Sequence, residues 1–267
     1  MKNLIILVFT VITMVSCLTA SSSLTIEGTG DSQELLRELA KAYEKKYPND
    51  FIIIPNSVGS SGGIKKLMAS QCELSRVARP LNQKEEEKGL KNIIFGYSPI
   101  VFVINGDTKD TTLLEKNIID IFQGDLTNWD EIANIGLTGK IYIVNREEGD
   151  SSRNVLDKNI LDFKKIEKPA GTTAFYNQEA VRILTKNKNT IGYLAIVNTK
   201  NTNLKIVKFN GISPTLENIK NGKYKLVTPL GLVYKGKLNR LAKDFIIFLK
   251  SKEAKKIMYN YGVVSNL

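Results

Sequence analysis

The chain of 267 residues contains no histidine, which removes the Ser-His-Asp and Cys-His arrangements of hydrolases together with the common histidine metal sites. Any enzymatic reading is left with carboxylate or lysine bases, and no catalytic residue, metal or cofactor is expected. Cysteine is nearly absent as well: Cys17 sits at the end of a leader-like segment and Cys72 is the only other. A mature chain with one cysteine cannot form an internal disulfide, and its stability has to come from its core. There is one tryptophan, Trp129, expected as a core anchor, and there is no internal repeat or low-complexity tract. An arginine-rich tract is lacking too. Lys+Arg 38 against Asp+Glu 27 gives a formal charge of +11, but the basic residues are scattered as lysine pairs. That pattern describes a solvated basic surface that can speed the arrival of anions, and no nucleic-acid partner is expected.

At the N-terminus Lys2 precedes the apolar run Leu4 to Val15, and the segment closes on Ser16-Cys17. This is the layout of a secretory signal, too short to span comfortably a bilayer that needs ~20 apolar residues. A small residue before a cysteine, followed by a short polar stretch, resembles the lipobox of bacterial lipoproteins. The resemblance implies residues 1–17 as signal, lipidation at Cys17, and 18–23 as a tether. More than one acyl chain would hold such a protein at the periplasmic face of a bacterial membrane. Without the anchor it would be soluble in the periplasm or at the cell surface.

Beyond the tether, Leu24 to Glu27 reads as a strand, and Asp31 to Tyr47 carries Leu35, Leu36, Leu39, Ala40 and Tyr43 on one helical face before Pro48. Phe51 to Pro55, the Gly/Ser loop Ser57 to Gly63 and a helix through Ile64, Leu67 and Met68 repeat the unit. Alternating strands and helices place the chain in the α/β class. Tyr97 to Ile104 and Tyr224 to Tyr234 are two extended crossings. Between them fall a helix near Leu114 to Phe122, strands Ile141 to Val144 and Ile191 to Leu194, and a helix Gln178 to Lys186. The expected organisation is two lobes, 24–98 with 229–267 and 99–228, in a monomer.

Three loops open helices with small or hydroxyl residues. Gly28-Thr29-Gly30 suggests a dinucleotide fingerprint, but Gln33 stands where its third glycine belongs. Gly59-Ser60-Ser61-Gly62-Gly63 is like a phosphate loop without its Gly-Lys-Ser/Thr ending. The third runs from Arg146 to Arg153 through Gly149, Asp150, Ser151 and Ser152. What they share is a helix start with up to four backbone N–H groups that lack intrahelical partners, a natural seat for an anion.

The order of these motifs, with Phe122-Gln123-Gly124-Asp125-Leu126-Thr127-Asn128-Trp129, Ala78-Arg79-Pro80-Leu81 and Ile191-Gly192-Tyr193, resembles the periplasmic phosphate-binding proteins of ABC-type importers. The resemblance implies a two-lobed type II binding-protein fold, with two mixed sheets flanked by helices and a two-crossing hinge. Inorganic phosphate is the implied ligand, delivered to importer permease and ATPase subunits. It also implies ligand contacts at Thr29, with Gly30, and at Ser60, with Ser61. Glu73 matches the family carboxylate that accepts the phosphate proton, and Arg146 would contact phosphate and pair with Glu73 across the cleft. Arg76 and Arg79 compete with Arg146. The family's usual Ser-Gly-Thr is replaced by Asp150-Ser151-Ser152, where Asp150 is expected to cap the helix and the serines to donate. Another oxyanion, a sensing role, or a basic lipoprotein adhering to acidic polysaccharide are the other readings.

Overall fold

A computed structural model describes residues 22–267; the leader, Cys17 and tether residues 18–21 lie outside it. The first strand, β1 (Ser22–Gly28), already includes the last two tether positions. It passes through a single 3-10 turn, Gly30–Ser32, into α1 (Gln33–Lys46), whose expected apolar face is buried. Next come β2 (Asp50–Ile53), α2 (Gly59–Met68), β3 (Leu74–Val77) and α3 (Gln83–Glu87). The long β4 (Leu90–Asn105) leads to β5 (Thr112–Leu113), α4 (Glu115–Gln123), β6 (Tyr142–Arg146), α5 (Ser151–Asn159) and α6 (Leu161–Lys164). After these, β7 (Thr172–Ala174), α7 (Asn177–Lys186), β8 (Thr190–Ala195), β9 (Lys205–Ile206), β10 (Lys208–Phe209) and α8 (Leu216–Lys220) precede the return strand β11 (Val227–Lys235). The chain finishes with α9 (Arg240–Leu249), α10 (Lys252–Asn260) and β12 (Val264–Ser265).

The two sheets expected from the sequence are joined. The hydrogen-bonded order is β2-β1-β3-β11-β4-β8-β6-β7, mixed in direction, and β4 serves both halves. Its Leu90 to Pro99 stretch pairs antiparallel with β11, and Ile100 to Asn105 with β8. One strand can do this because it has 16 residues and is buried on both faces from Ser98 onward. Residues 99 and 227, the two crossings, are direct partners.

Two principal apolar clusters lie on either side of that point. One gathers Leu24, Ile26, Leu35, Leu39, Phe95, Leu230, Phe245 and Met258; the other Ile100, Phe102, Phe122, Trp129, Phe163 and Tyr193. Val197 departs from its neighbours in sequence and packs with the first. Each fully buried side chain of this size contributes roughly 1.5–3 kcal/mol. In the second cluster Phe122, Phe163 and Tyr193 have ring centroids 5.3 to 5.9 Å apart, which fixes Tyr193 beneath the candidate site.

The segment Ser57 to Gly63, read from sequence as a loop, is helical from Gly59. The reason is the packing of α2 on β1 and β3. A Cβ on Gly63 would stand 2.5 Å from both Gly28 Cα and Ser75 Oγ, so only glycine lets the helix start lie on the strands. Among the described residues no helix is long and apolar enough to cross a membrane.

Candidate functional site

The starts of α1, α2 and α5 converge on one cavity of about 270 Å³. Thr29, Gly30 and Asp31 form one wall, Gly59, Ser60, Ser61 and Gly62 a second, and Arg146 with Gly149, Asp150 and Ser151 a third. Asn177 and the half-open aromatic pair Phe175 and Tyr176 lie at its edge.

Each wall has its own local logic. Thr29 Oγ1 accepts the amide of Asp31, turning the chain into the 3-10 turn. In α2 the residue before the helix is Val58, which has no side-chain oxygen to offer; Ser57 Oγ accepts the Gly59 amide at 3.2 Å, and the next amides of the first turn, Ser60 and Ser61, take no capping side chain. The Ser60 hydroxyl accepts the amide of Ala78 at 3.1 Å and keeps its own proton to donate. In α5 the seat is already taken: Asp150 Oδ1 accepts the amides of Ser152 and Arg153 at 3.0 and 3.1 Å.

Arg146, 3% exposed, is held from several directions. Its Nε donates to the carbonyl of Ala174 at 3.1 Å, Nη1 donates to Asn177 Oδ1, and Nη2 pairs with Asp150 Oδ2 at 2.8 Å. Its backbone amide donates to Tyr193 Oη, which itself donates to Asn145 Oδ1. A guanidinium has five N–H donors, and these side-chain bonds leave two for a ligand.

The structure corrects three expectations. Glu73 does not reach the cavity. It is exposed, accepts the amide of Thr25 at 2.8 Å, and lines a separate depression with Leu67, Met68 and Tyr234. The expected Arg146–Glu73 pair is replaced by Arg146–Asp150, because Asp150 follows Arg146 across the short turn between β6 and α5, while Glu73 precedes β3, at the strand end opposite to the one that Thr29 follows. Ser152 is fully buried behind the lining, its Oγ without a partner. The rivals of Arg146 are occupied too. Arg79 lines the cavity but is clamped by both carboxylate oxygens of Glu85 at 2.8 Å. Arg76 is wholly buried and binds backbone carbonyls.

Of the carboxylates that line the cavity, Asp31 is the most deeply buried. It is 1% exposed; Oδ1 accepts from Asn177 Nδ2 at 2.8 Å, and Oδ2 is buried without a partner. Burial and then the charge of Asp150 push its pKa from 3.8 up to about 6, against the opposing pull of Asn177, Arg146 and Ser151. Neither Asp31 nor Asn177 was singled out from sequence. An acidic residue in a first helical turn looks like an ordinary helix-start residue, and a lone asparagine before a helix carries no pattern.

A family profile described as "PBP superfamily domain" matches residues 18–253. The chain belongs to the PBP superfamily. Within that superfamily it is 27% identical to the phosphate-binding protein PstS of Borreliella burgdorferi over 98% of both chains. It is 26% identical to the phosphate-binding protein PstS of Bacillus subtilis, over 89% of this chain and 78% of the other. A substrate-binding protein of Clostridium perfringens solved with bound phosphate superposes with a TM-score of 0.81 at 28% identity, covering 92% of this chain and 100% of that one. The fold is the two-lobed α/β arrangement of these proteins.

Proposed function

We propose that the chain captures inorganic phosphate between its lobes, 24–98 with 229–267 and 99–228, and delivers it to the permease and ATPase of an ABC importer. Lipidation at Cys17 would keep it at the outer face of the membrane, and no chemical conversion of the ligand is involved. One observation carries the reading: the α2 start, whose Ser60 and Ser61 amides take no capping side chain, faces Arg146 across a single cavity, with the free oxygen of Asp31 lining the same space. The relatives named phosphate-binding proteins support it.

In this reading the amides of Ser60 and Ser61, the hydroxyls of Thr29, Ser60 and Ser151, the Gly30 backbone and the spare donors of Arg146 surround the anion. Each hydrogen bond to a charged group contributes roughly 1.5–3 kcal/mol before dehydration costs, so several are needed. Asp31 takes the part assigned from sequence to Glu73: its free oxygen accepts the proton of monohydrogen phosphate, and sulfate, which has none, meets a bare carboxylate. Asp150 serves Arg146 and the α5 amides instead of the ligand.

Isothermal titration of the purified chain with phosphate tests this, with sulfate as competitor and a phosphatase assay alongside. Saturable phosphate binding that drops at least tenfold in Arg146→Ala is expected, given the size of a charge-assisted bond. Equal affinity for the two anions, or phosphate ester turnover, would overturn it.

A further inference from the structure

Asn177, the first residue of α7, is 4% exposed, and both ends of its amide are used. Nδ2 donates to Asp31 Oδ1 at 2.8 Å, and Oδ1 accepts from Arg146 Nη1. Asp31 and Asn177 stand 146 positions apart in sequence and both line the cavity, so this amide bonds two distant parts of the chain directly. The approach is close: a Cβ on Gly30 would fall 2.6 Å from Asn177 Nδ2, so the residue before Asp31 has to be glycine for the bond to form. A primary amide donates to a carboxylate at one end and accepts from a guanidinium at the other; an ionised aspartate lacks the donor and leucine lacks both.

We propose that Asn177 is a positioning residue for specificity: by engaging Oδ1 of Asp31 it leaves Oδ2 as the atom that meets the ligand, and by donating to that carboxylate it keeps it ionised. This rests on the phosphate reading above. The charged groups around Asp31 are Arg146 and Asp150, which pair with each other, and the cavity residues Arg79, Glu147 and Glu148, of which Arg79 is held by Glu85. Of the uncharged groups that hold Asp31 ionised, Asn177 and Ser151, Asn177 acts more strongly, and its removal frees Asp31 to take up a proton without altering the charge of the wall. A protonated Asp31 would donate to an oxyanion that carries no proton of its own. Loss of Asn177 thus changes which anion is preferred, beyond weakening both.

The test measures phosphate and sulfate affinities of the full chain between about pH 5 and pH 8 for the wild type, Asn177→Ala and Asn177→Asp. The pH below which sulfate competes is expected to move upward by about one unit in Asn177→Ala, with the phosphate-to-sulfate ratio at neutral pH falling about tenfold. Asn177→Asp retains the acceptor for Arg146 and the side-chain size, adds a charge beside Asp31, and moves the crossover further; it stands in if the alanine variant melts early. Both affinities falling by one common factor at every pH, in either folded variant, would overturn the proposal and leave the phosphate reading intact. A wild type that binds no phosphate would overturn both.

Discussion

The guanidinium of Arg76 donates to the carbonyl of Thr29 at 2.7 Å from a position with no solvent exposure. The same group bonds the carbonyls of Ile26 and Pro55 and the side chain of Gln33, so one residue of β3 ties the end of β1, the start of α1 and the approach to α2 together. Burial lowers its pKa to about 10, still far above neutrality, and the charge persists as carbonyl bonds replace water.

A lysine at this position keeps the charge and loses the fork. Arg76→Lys is expected to cost roughly 2–4 kcal/mol of stability, because carbonyls are left unmet in a dry site. Urea unfolding monitored by circular dichroism measures it, and a loss under about 0.5 kcal/mol would contradict the role given to the fork.

The titration of Asp31 gives stability a pH slope. With its carboxyl raised from 3.8 to about 6, the folded state binds the proton more tightly than the unfolded one. This contribution is complete below about pH 3.8 and is lost as pH rises through about 6, on the order of 3 kcal/mol in all. Asp31→Asn is therefore expected to stabilise the ligand-free protein at pH 8 and to have little effect at pH 4, as read from melting temperatures at the two values.

Sulfate affinity in the wild type should follow the same group. Above the Asp31 pKa of about 6 it is expected to fall roughly tenfold per pH unit, while phosphate, which brings its own proton, changes little. Parallel titrations at several pH values check this. A constant ratio between the two anions would show that Asp31 does not sense the ligand proton.

Glu73→Gln is expected to leave phosphate affinity within about twofold, since Glu73 lies in a different depression and serves the Thr25 amide. Gly63→Ala is the opposite case. Its Cβ would meet backbone and hydroxyl atoms at 2.5 Å, and a loss of roughly 1–3 kcal/mol with weakened binding is expected from displacement of α2.

Most of the framework was legible because it rests on local periodicity. The α1 face from Leu35 to Tyr43 and the buried run in β4 announce themselves in the order of residues. The helix starts after β1 and β6 were legible from Thr29 and Asp150, which follow their strands within a few positions, whereas α2 begins at Gly59, inside the segment read as a loop. The carboxylate of the cavity was not. Motif spacing pointed to Glu73, whereas which acid faces the cavity depends on the turn after β1 and on Asn177, far away in sequence. The union of the two halves through β4 was equally hidden, because apolar runs do not say which partners a strand has on each half of its length.

That shared strand has a mechanical consequence. Since residues 90–99 of β4 are laddered to β11 and residues 100–105 to β8, the halves of the molecule are not separate bodies on a slack tether. Any swing between them bends a continuous hydrogen-bonded ribbon near Pro99 and Val227, and each peptide pair there acts as a spring. The angle open to such a swing is then limited by the elasticity of a few peptide planes. Stiffening or loosening those planes would alter the rate of capture without touching any group that meets the anion.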